Sequence, residues 1–155
     1  NLSSLVAKFK YVDDLKDFIV FDPSYATGVD EFDRQHKILF YLINKIHRAK
    51  ARGKGKEELE KILYSLAEYT VMHFACEERG FHKYEYAQTA EHIDKHKKLL
   101  GQVTDFIGKY KGGTAQIDES LLEFLRDWLN THIKLVDKAY EPTFKAKGFR
   151  STFDI

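Results

Sequence analysis

The chain has 155 residues, close to the usual size of one domain and enough to bury about two thirds of the surface of the unfolded chain. Its 25 basic and 24 acidic side chains nearly cancel, so it lacks the one-sided charge that draws proteins to nucleic acids or anionic lipids. With 43% hydrophobic residues, 9 glycines and 2 prolines, it is neither disordered nor fibrous. We expect no contact with nucleic acid or with a membrane.

Cysteine usage and hydropathy indicate the compartment. The single cysteine, Cys76, excludes an intrachain disulfide and a thiolate zinc site. No stretch of about 18 apolar residues occurs, and charged residues interrupt the first twenty positions, so neither a membrane span nor a signal peptide is predicted. We therefore expect a soluble, cytoplasmic protein. The start at Asn1 favours an N-terminally processed chain or a domain of a longer protein.

Residues 1–29 are predicted to form an N-terminal arm. An amphipathic helix is indicated by the apolar positions Leu2, Leu5, Val6, Phe9, Val12 and Leu15, and a loop is expected at 22–24. Several of these positions approach a heptad seam. Residues 1–20 should therefore lie across the rest of the protein, or pair with a second chain or an upstream signalling domain.

Four long helices are predicted next, because no proline occurs between Pro23 and Pro142 and apolar residues recur at three- and four-residue spacing. Their predicted bounds are 31–52, 57–84, 89–110 and 118–136, with glycines in the first and third connections and Asp118 as an N-cap. Short connections force antiparallel neighbours. We predict an all-α, up-down-up-down four-helix bundle of residues 30–140, with residues 141–155 as a C-terminal appendage.

Each predicted helix carries histidines or carboxylates that suit a metal. Counted along the helices from the connections, these residues fall at one height near one end of the bundle. Five buried histidines beside two carboxylates favour bound cations, and seven ligands without a thiolate suit two ions of iron, zinc, nickel or manganese. The set comprises His36, His73, Glu77, His92, His96, His132 and Asp137.

One pair in this set does not fit a regular helix. His132 and Asp137 are five residues apart, which places them about 140° apart around an α-helix. A π-bulge or a distorted last turn would bring them to one side. Asp137 as an ordinary surface carboxylate is the alternative.

The stretches GVDEFDRQH (28–36), HFACEE (73–78), HIDKH (92–96) and WLNTH (128–132), together with Asp137, resemble the hemerythrin family, and specifically its bacterial members. The similarity covers roughly residues 20 to 140. It implies two non-haem irons with an oxo or hydroxo bridge. One iron would be held by His92, His96 and His132, the other by His36 and His73, with Glu77 and Asp137 bridging the two.

The resemblance also implies a function. The two-histidine iron would have an open position, where dioxygen binds reversibly as hydroperoxide. Such a protein serves oxygen carriage or storage, or oxygen and redox sensing as a domain of a signalling protein. The residues expected near the oxygen pocket are Leu129, Trp128 and Phe74, for which plain core packing is the alternative.

Other functions fit the same residues less well. A di-iron oxidase, a peroxidase, a nitric-oxide-handling enzyme and an iron-storage protein are the alternatives. Oxygen-activating bundles tend to carry more carboxylates than histidines, because anionic ligands stabilise high-valent iron. The ratio of five histidines to two carboxylates favours oxygen binding over catalysis, with weak oxidase or peroxidase activity kept as an alternative.

Overall fold

The computed structural model describes residues 16–149. Within this range there is no strand, and the helices are α1 (Asp30–Ala51), α2 (Lys56–Lys83), α3 (Thr89–Lys111), α4 (Glu119–Thr131) and the short α5 (Glu141–Ala146). The predicted all-α four-helix bundle is confirmed, and the predicted bounds of the first three helices differ by at most one residue. No helix in the described range is long and apolar enough to cross a membrane.

The fourth helix is shorter than predicted. Regular α geometry ends at Thr131 and is followed by a π-helical segment, His132–Val136, and a 3₁₀ turn, Asp137–Tyr140. The expected N-cap is confirmed, because the Asp118 carboxylate accepts a hydrogen bond from the backbone N–H of Leu121 at 3.2 Å. This cap fixes the start of α4. The C-terminal end of α4 gives way to other helical geometry at His132, the first candidate ligand of this part of the chain.

The buried core has two parts. A mostly aliphatic core fills the end of the bundle near the α1–α2 and α3–α4 connections, and an aromatic core fills the other end. On α1, His36 lies between Phe32 of the aromatic core and Leu39 of the aliphatic core. On α2, His73 lies between Leu66 of the aliphatic core and Phe81 of the aromatic core. The candidate ligands therefore lie at the boundary between the two cores.

The segment before α1 is fastened to the bundle. Ile19 is buried, and the side chain of Asn44 both accepts a hydrogen bond from its backbone N–H at 3.0 Å and donates one to its carbonyl at 2.8 Å. The loop expected at 22–24 contains a short 3₁₀ turn, Pro23–Tyr25, and Tyr25 packs edge-on against Phe40. The predicted amphipathic helix lies mostly in residues 1–15, outside the described residues.

The C-terminal part of the described chain closes the other end. Pro142 lies in the first turn of α5, where its missing N–H costs no hydrogen bond. Phe144 is buried in the aromatic core, against Phe32 and Tyr84. Residues beyond 140 thus contribute to the packing behind the candidate site, and the division of the chain at 29 and 140 stays a prediction.

Gly28 gives a test of how this end is assembled. Its φ is +84°, and a Cβ built there would lie 2.2 Å from Oε1 of Glu141. We expect Gly28→Ala to lower the free energy of unfolding in urea by somewhat more than about 1 kcal/mol, because the cost of backbone strain is joined by a smaller cost of moving the flexible end of Glu141.

Gly53→Ala is the matched control, because Gly53 also has a positive φ, +73°, but has no atom within 4 Å of the added Cβ. It should cost about 1 kcal/mol. In a Glu141→Ala background the extra loss at Gly28 should vanish. Equal losses for both glycines in the natural background would show that Glu141 does not constrain this turn.

Candidate metal centre

The structure brings the seven sequence-predicted ligands together. The first three long helices contribute five of them, His132 begins the π-helical segment that continues α4, and Asp137 begins the 3₁₀ turn. None is more than 4% exposed: His36, His73, Glu77, His92, His96, His132 and Asp137. Ionisable side chains this deeply buried are stable only when they are paired or coordinate a metal.

The seven residues form two groups that share both carboxylates. In each group the potential ligand atoms lie within 4.8 Å of one another. One group has three histidines and the other has two. The first is Glu77, His92, His96, His132 and Asp137, and the second is His36, His73, Glu77 and Asp137.

Asp137 faces both groups through different oxygens. Its Oδ1 lies 3.0 Å from Nε2 of His92 and 3.0 Å from Nε2 of His132, whereas its Oδ2 lies 3.1 Å from Nε2 of His36. Glu77 is also shared, since its Oε1 lies 3.3 Å from Nε2 of His73 and 3.3 Å from Nε2 of His96. Two carboxylates placed between two sets of imidazoles suit a pair of metal ions.

The donor atoms themselves indicate metal binding. Six of these donor atoms are buried and form no hydrogen bond of good geometry, although most of them lie within ion-pair distance of another ligand atom: Nε2 of His36 and of His96, and both carboxylate oxygens of Glu77 and of Asp137. A buried polar atom without a partner costs about 1–3 kcal/mol, and a charged one costs more. Cations coordinated by these lone pairs would satisfy them together, so the residues fit a dinuclear metal centre.

A π-helical segment positions the His132–Asp137 pair, and it is one of the two distortions that the sequence analysis considered. Across this segment the backbone N–H of Asp137 bonds to the carbonyl of His132, five residues earlier. This bonding pattern turns residues five apart toward the same face. The two side chains consequently meet at 3.0 Å, and Asp137 is fully buried rather than a surface carboxylate.

Two residues that the sequence did not single out orient the imidazoles. Nδ1 of His73 donates to Oε1 of Gln35 at 2.6 Å, and Nδ1 of His96 donates to Oε2 of Glu78 at 2.8 Å. These bonds leave each Nε2 facing the shared carboxylates, as ligating histidines require. Gln35 and His73 are 38 residues apart, so counting along α1 and α2 from their connection could have paired them.

The protonation states of several of these groups suit metal binding. Burial lowers the pKa of His73 to about 4, so its ring is neutral near pH 7. Burial alone raises the pKa of Glu77, yet His73 and His96 bring it down to about 2. Burial also opposes ionisation of Asp137, but attraction to His132 holds its pKa well below the usual range. Neutral imidazoles and ionised carboxylates are the forms that bind metal.

Two of the histidines hold a proton more strongly. Burial lowers the pKa of His36, but Asp137 outweighs that effect and the net pKa is raised. Burial likewise lowers the pKa of His96, and Glu77 and Glu78 raise it further than burial lowers it. Metal ions therefore compete with protons at these two rings, which makes binding weaker at low pH.

Aromatic rings cover the histidines on the side of the aliphatic core. Phe74 stacks on His96 with ring centroids 3.7 Å apart, and Trp128 stacks on His132 at 4.2 Å. Leu129 is buried one turn before His132. The three residues expected near an oxygen pocket thus lie beside the candidate centre, and their role in oxygen binding stays a prediction.

The two remaining histidines are not part of the centre. His82 is exposed. His47 is half-buried, because its ring packs against Phe18 with centroids 5.2 Å apart. Neither belongs to the two groups of potential ligands.

Fold and site together define a helical-bundle protein with a dinuclear histidine–carboxylate centre. The family model "Hemerythrin HHE cation binding domain" matches residues 27–144. A bacteriohemerythrin of Methylococcus capsulatus is 40% identical over 79% of this chain and 92% of its own length. A myohemerythrin of Riftia pachyptila is 31% identical over 79% of this chain and 90% of its own length.

A solved structure agrees with the sequence matches. The crystal structure of a wild-type hemerythrin superposes with a TM-score of 0.76 at 37% identity, covering 81% of this chain and 97% of that one. The chain belongs to the hemerythrin family. It is accordingly a non-haem di-iron protein that binds dioxygen, as its resemblance to that family predicted.

Gln35 offers a test of how the centre is oriented. Gln35→Leu keeps the side-chain size but removes the acceptor for Nδ1 of His73, so we expect ferrous-ion affinity to fall by about 10-fold to 100-fold. The measurement is anaerobic competition with a calibrated chelator. Arg34→Leu, at the exposed neighbouring position, is the control and should leave the affinity unchanged. Equal affinities in both variants would contradict an orienting role for Gln35.

Proposed function

We propose that the seven buried residues hold the two irons. His92, His96 and His132 bind one ion, His36 and His73 bind the other, and Glu77 and Asp137 bridge them. The observation that carries this assignment is the division of the donor atoms into two compact groups that share both carboxylates. The opposite orientation of the two Asp137 oxygens supports the same division.

The two irons have unequal protein ligands in this assignment. The three-histidine ion has five protein groups, and the two-histidine ion has four. We place dioxygen at the ion with fewer protein ligands, on the side of His36 and His73. When bound, two ferrous ions supply the electrons that reversible binding of dioxygen requires.

The surrounding residues keep this chemistry reversible. Phe74, Trp128 and Leu129 exclude water on the side of the aliphatic core, and Phe32 packs edge-on against His73 on the other side. Gln35 and Glu78 hold two of the imidazoles in place. A dry, rigid surrounding limits access of water and of external reductants to the bound gas.

The biological role is oxygen carriage or storage, or oxygen sensing, rather than catalysis. Membership of the hemerythrin family supports this role. The excess of histidines over carboxylates supports the same role, because it supplies little of the anionic charge that stabilises high-valent iron. A cytoplasmic location, and a signalling or self-associating role for residues 1–20, remain predictions.

Reversible oxygen binding is tested on the anaerobically reduced protein. We expect two irons per chain, charge-transfer absorption when oxygen is admitted, and bleaching when it is removed. Catalytic turnover of peroxide or nitric oxide well above the autoxidation rate would favour the di-iron enzyme instead. Iron that oxidises without a reversible colour change would rule out the carrier function.

The bridging assignment predicts unequal effects of two ligand substitutions. Glu77→Ala should abolish binding of the iron pair, because Glu77 contacts both groups, whereas His36→Ala should leave at least one iron per chain. Iron analysis after anaerobic reconstitution measures both, and Glu77→Gln controls for the lost volume. Two retained irons with normal oxygen spectra in Glu77→Ala would refute the bridge.

A further inference from the structure

A large apolar cavity lies beside the centre, within the aliphatic half of the bundle. Its volume is about 580 Å³, and its walls come from all four long helices and the α3–α4 connection. On α1 the cavity is lined by Leu39 and Ile43, whose exposed fractions are only 2% and 1%. The cavity therefore reaches deep into the buried core of the bundle.

The cavity is elongated along the bundle axis. On α2 its lining extends from Leu63 to Phe74, a distance of about 16 Å at the helical rise. One end is at the α3–α4 connection, near Thr114. The other end is closed by Phe74 and Trp128, whose rings stack on His96 and His132.

Size and depth favour a slender small molecule as the occupant. Sites for organic ligands usually have volumes of about 300–1,000 Å³, far more than a diatomic gas requires. A helix from a second protein, about 10 Å wide, would cover the opening, but Leu39 and Ile43 are almost fully buried and are reached only by a narrower group. A single alkyl chain is narrow enough to reach them.

The polar groups of the lining favour an uncharged molecule. They are mainly the hydroxyls and side-chain amides of Thr70, Gln102, Thr114, Gln116 and Ser120. Among the described residues that line the cavity there is no lysine or arginine. The one ionisable lining residue, Asp118, already accepts a hydrogen bond from the backbone of α4. An anionic head group would find no cation there, and burying it unpaired is unfavourable.

We propose that this cavity binds a neutral, elongated amphiphile, that is, an alkyl chain ending in a hydroxyl or another uncharged polar group. The chain lies between Leu66, Val103 and Leu125, with its end against Phe74 and Trp128. The polar group lies among the hydroxyls and amides near the α3–α4 connection. Binding there requires no oxygen chemistry, so it is testable independently of the proposed function.

1-Decanol is the probe, titrated into the full iron-loaded chain by calorimetry. We expect saturable binding of one molecule per chain, with an affinity at least about tenfold higher than for decanoate or decylammonium ions. The emission of Trp128, the only tryptophan of the chain, should change with the same midpoint. Non-saturable uptake, or equal affinity for the three probes, would refute a specific neutral-ligand site.

Matched variants locate the site. Val103→Phe fills the cavity and should weaken binding at least about tenfold, whereas Val71→Phe makes the same change at an exposed position outside it and should have no effect. Ala67→Leu is a milder second filling variant if Val103→Phe does not fold. Equal affinities in the filling variants and in Val71→Phe would overturn the proposal.

Two other occupants are tested in the same experiment. If a second copy of the chain covers the cavity, the molecular mass will rise with concentration and Val103→Phe will abolish that rise. If residues 1–15 fill it, decanol will bind only after they are removed. Either result would replace the small molecule as the occupant.

Discussion

The arrangement of this protein depends on two carboxylates buried among five histidines. Glu77 and Asp137 stay ionised only because imidazoles surround them, and the imidazoles remain buried only because carboxylates and metal satisfy their nitrogens. The helices must be aligned so that these histidines and carboxylates lie at the same level along the bundle axis. The short connections and the two apolar cores fix that alignment, so the fold and the site constrain each other.

The π-helical segment shows how local geometry follows from that constraint. A regular continuation of α4 would carry Asp137 away from the other six residues, and the second shared carboxylate would be lost. The π and 3₁₀ backbone hydrogen bonds of residues 132–140 are less favourable than those of an α-helix. Burial of Ile133, Tyr140 and Phe144 compensates for this loss. The aromatic core thus stabilises the backbone that presents Asp137.

Much of the fold and the site followed from the sequence because both depend on short-range periodicity. Proline-free, 3.6-periodic segments gave the bounds of the first three helices to within a residue. For Asp137 to join His132 in the site, their five-residue spacing already required a departure from α geometry at the end of the fourth helix. Gln35 and Glu78 were missed because nothing in residue type or period distinguishes an orienting acceptor from a surface polar residue. The cavity was missed because it depends on the separation of packed helices, which apolar spacing does not encode.

The two sides of the centre differ in a way that bears on access. On one side Phe32, Phe81 and Tyr140 pack against the histidines as part of a continuous aromatic core. On the other side Phe74 and Trp128 lie between the histidines and the cavity. A molecule that approaches from this side crosses apolar surface, which favours uncharged molecules over ions and water. The same two rings would therefore exclude solvent from the irons and contact any ligand in the cavity.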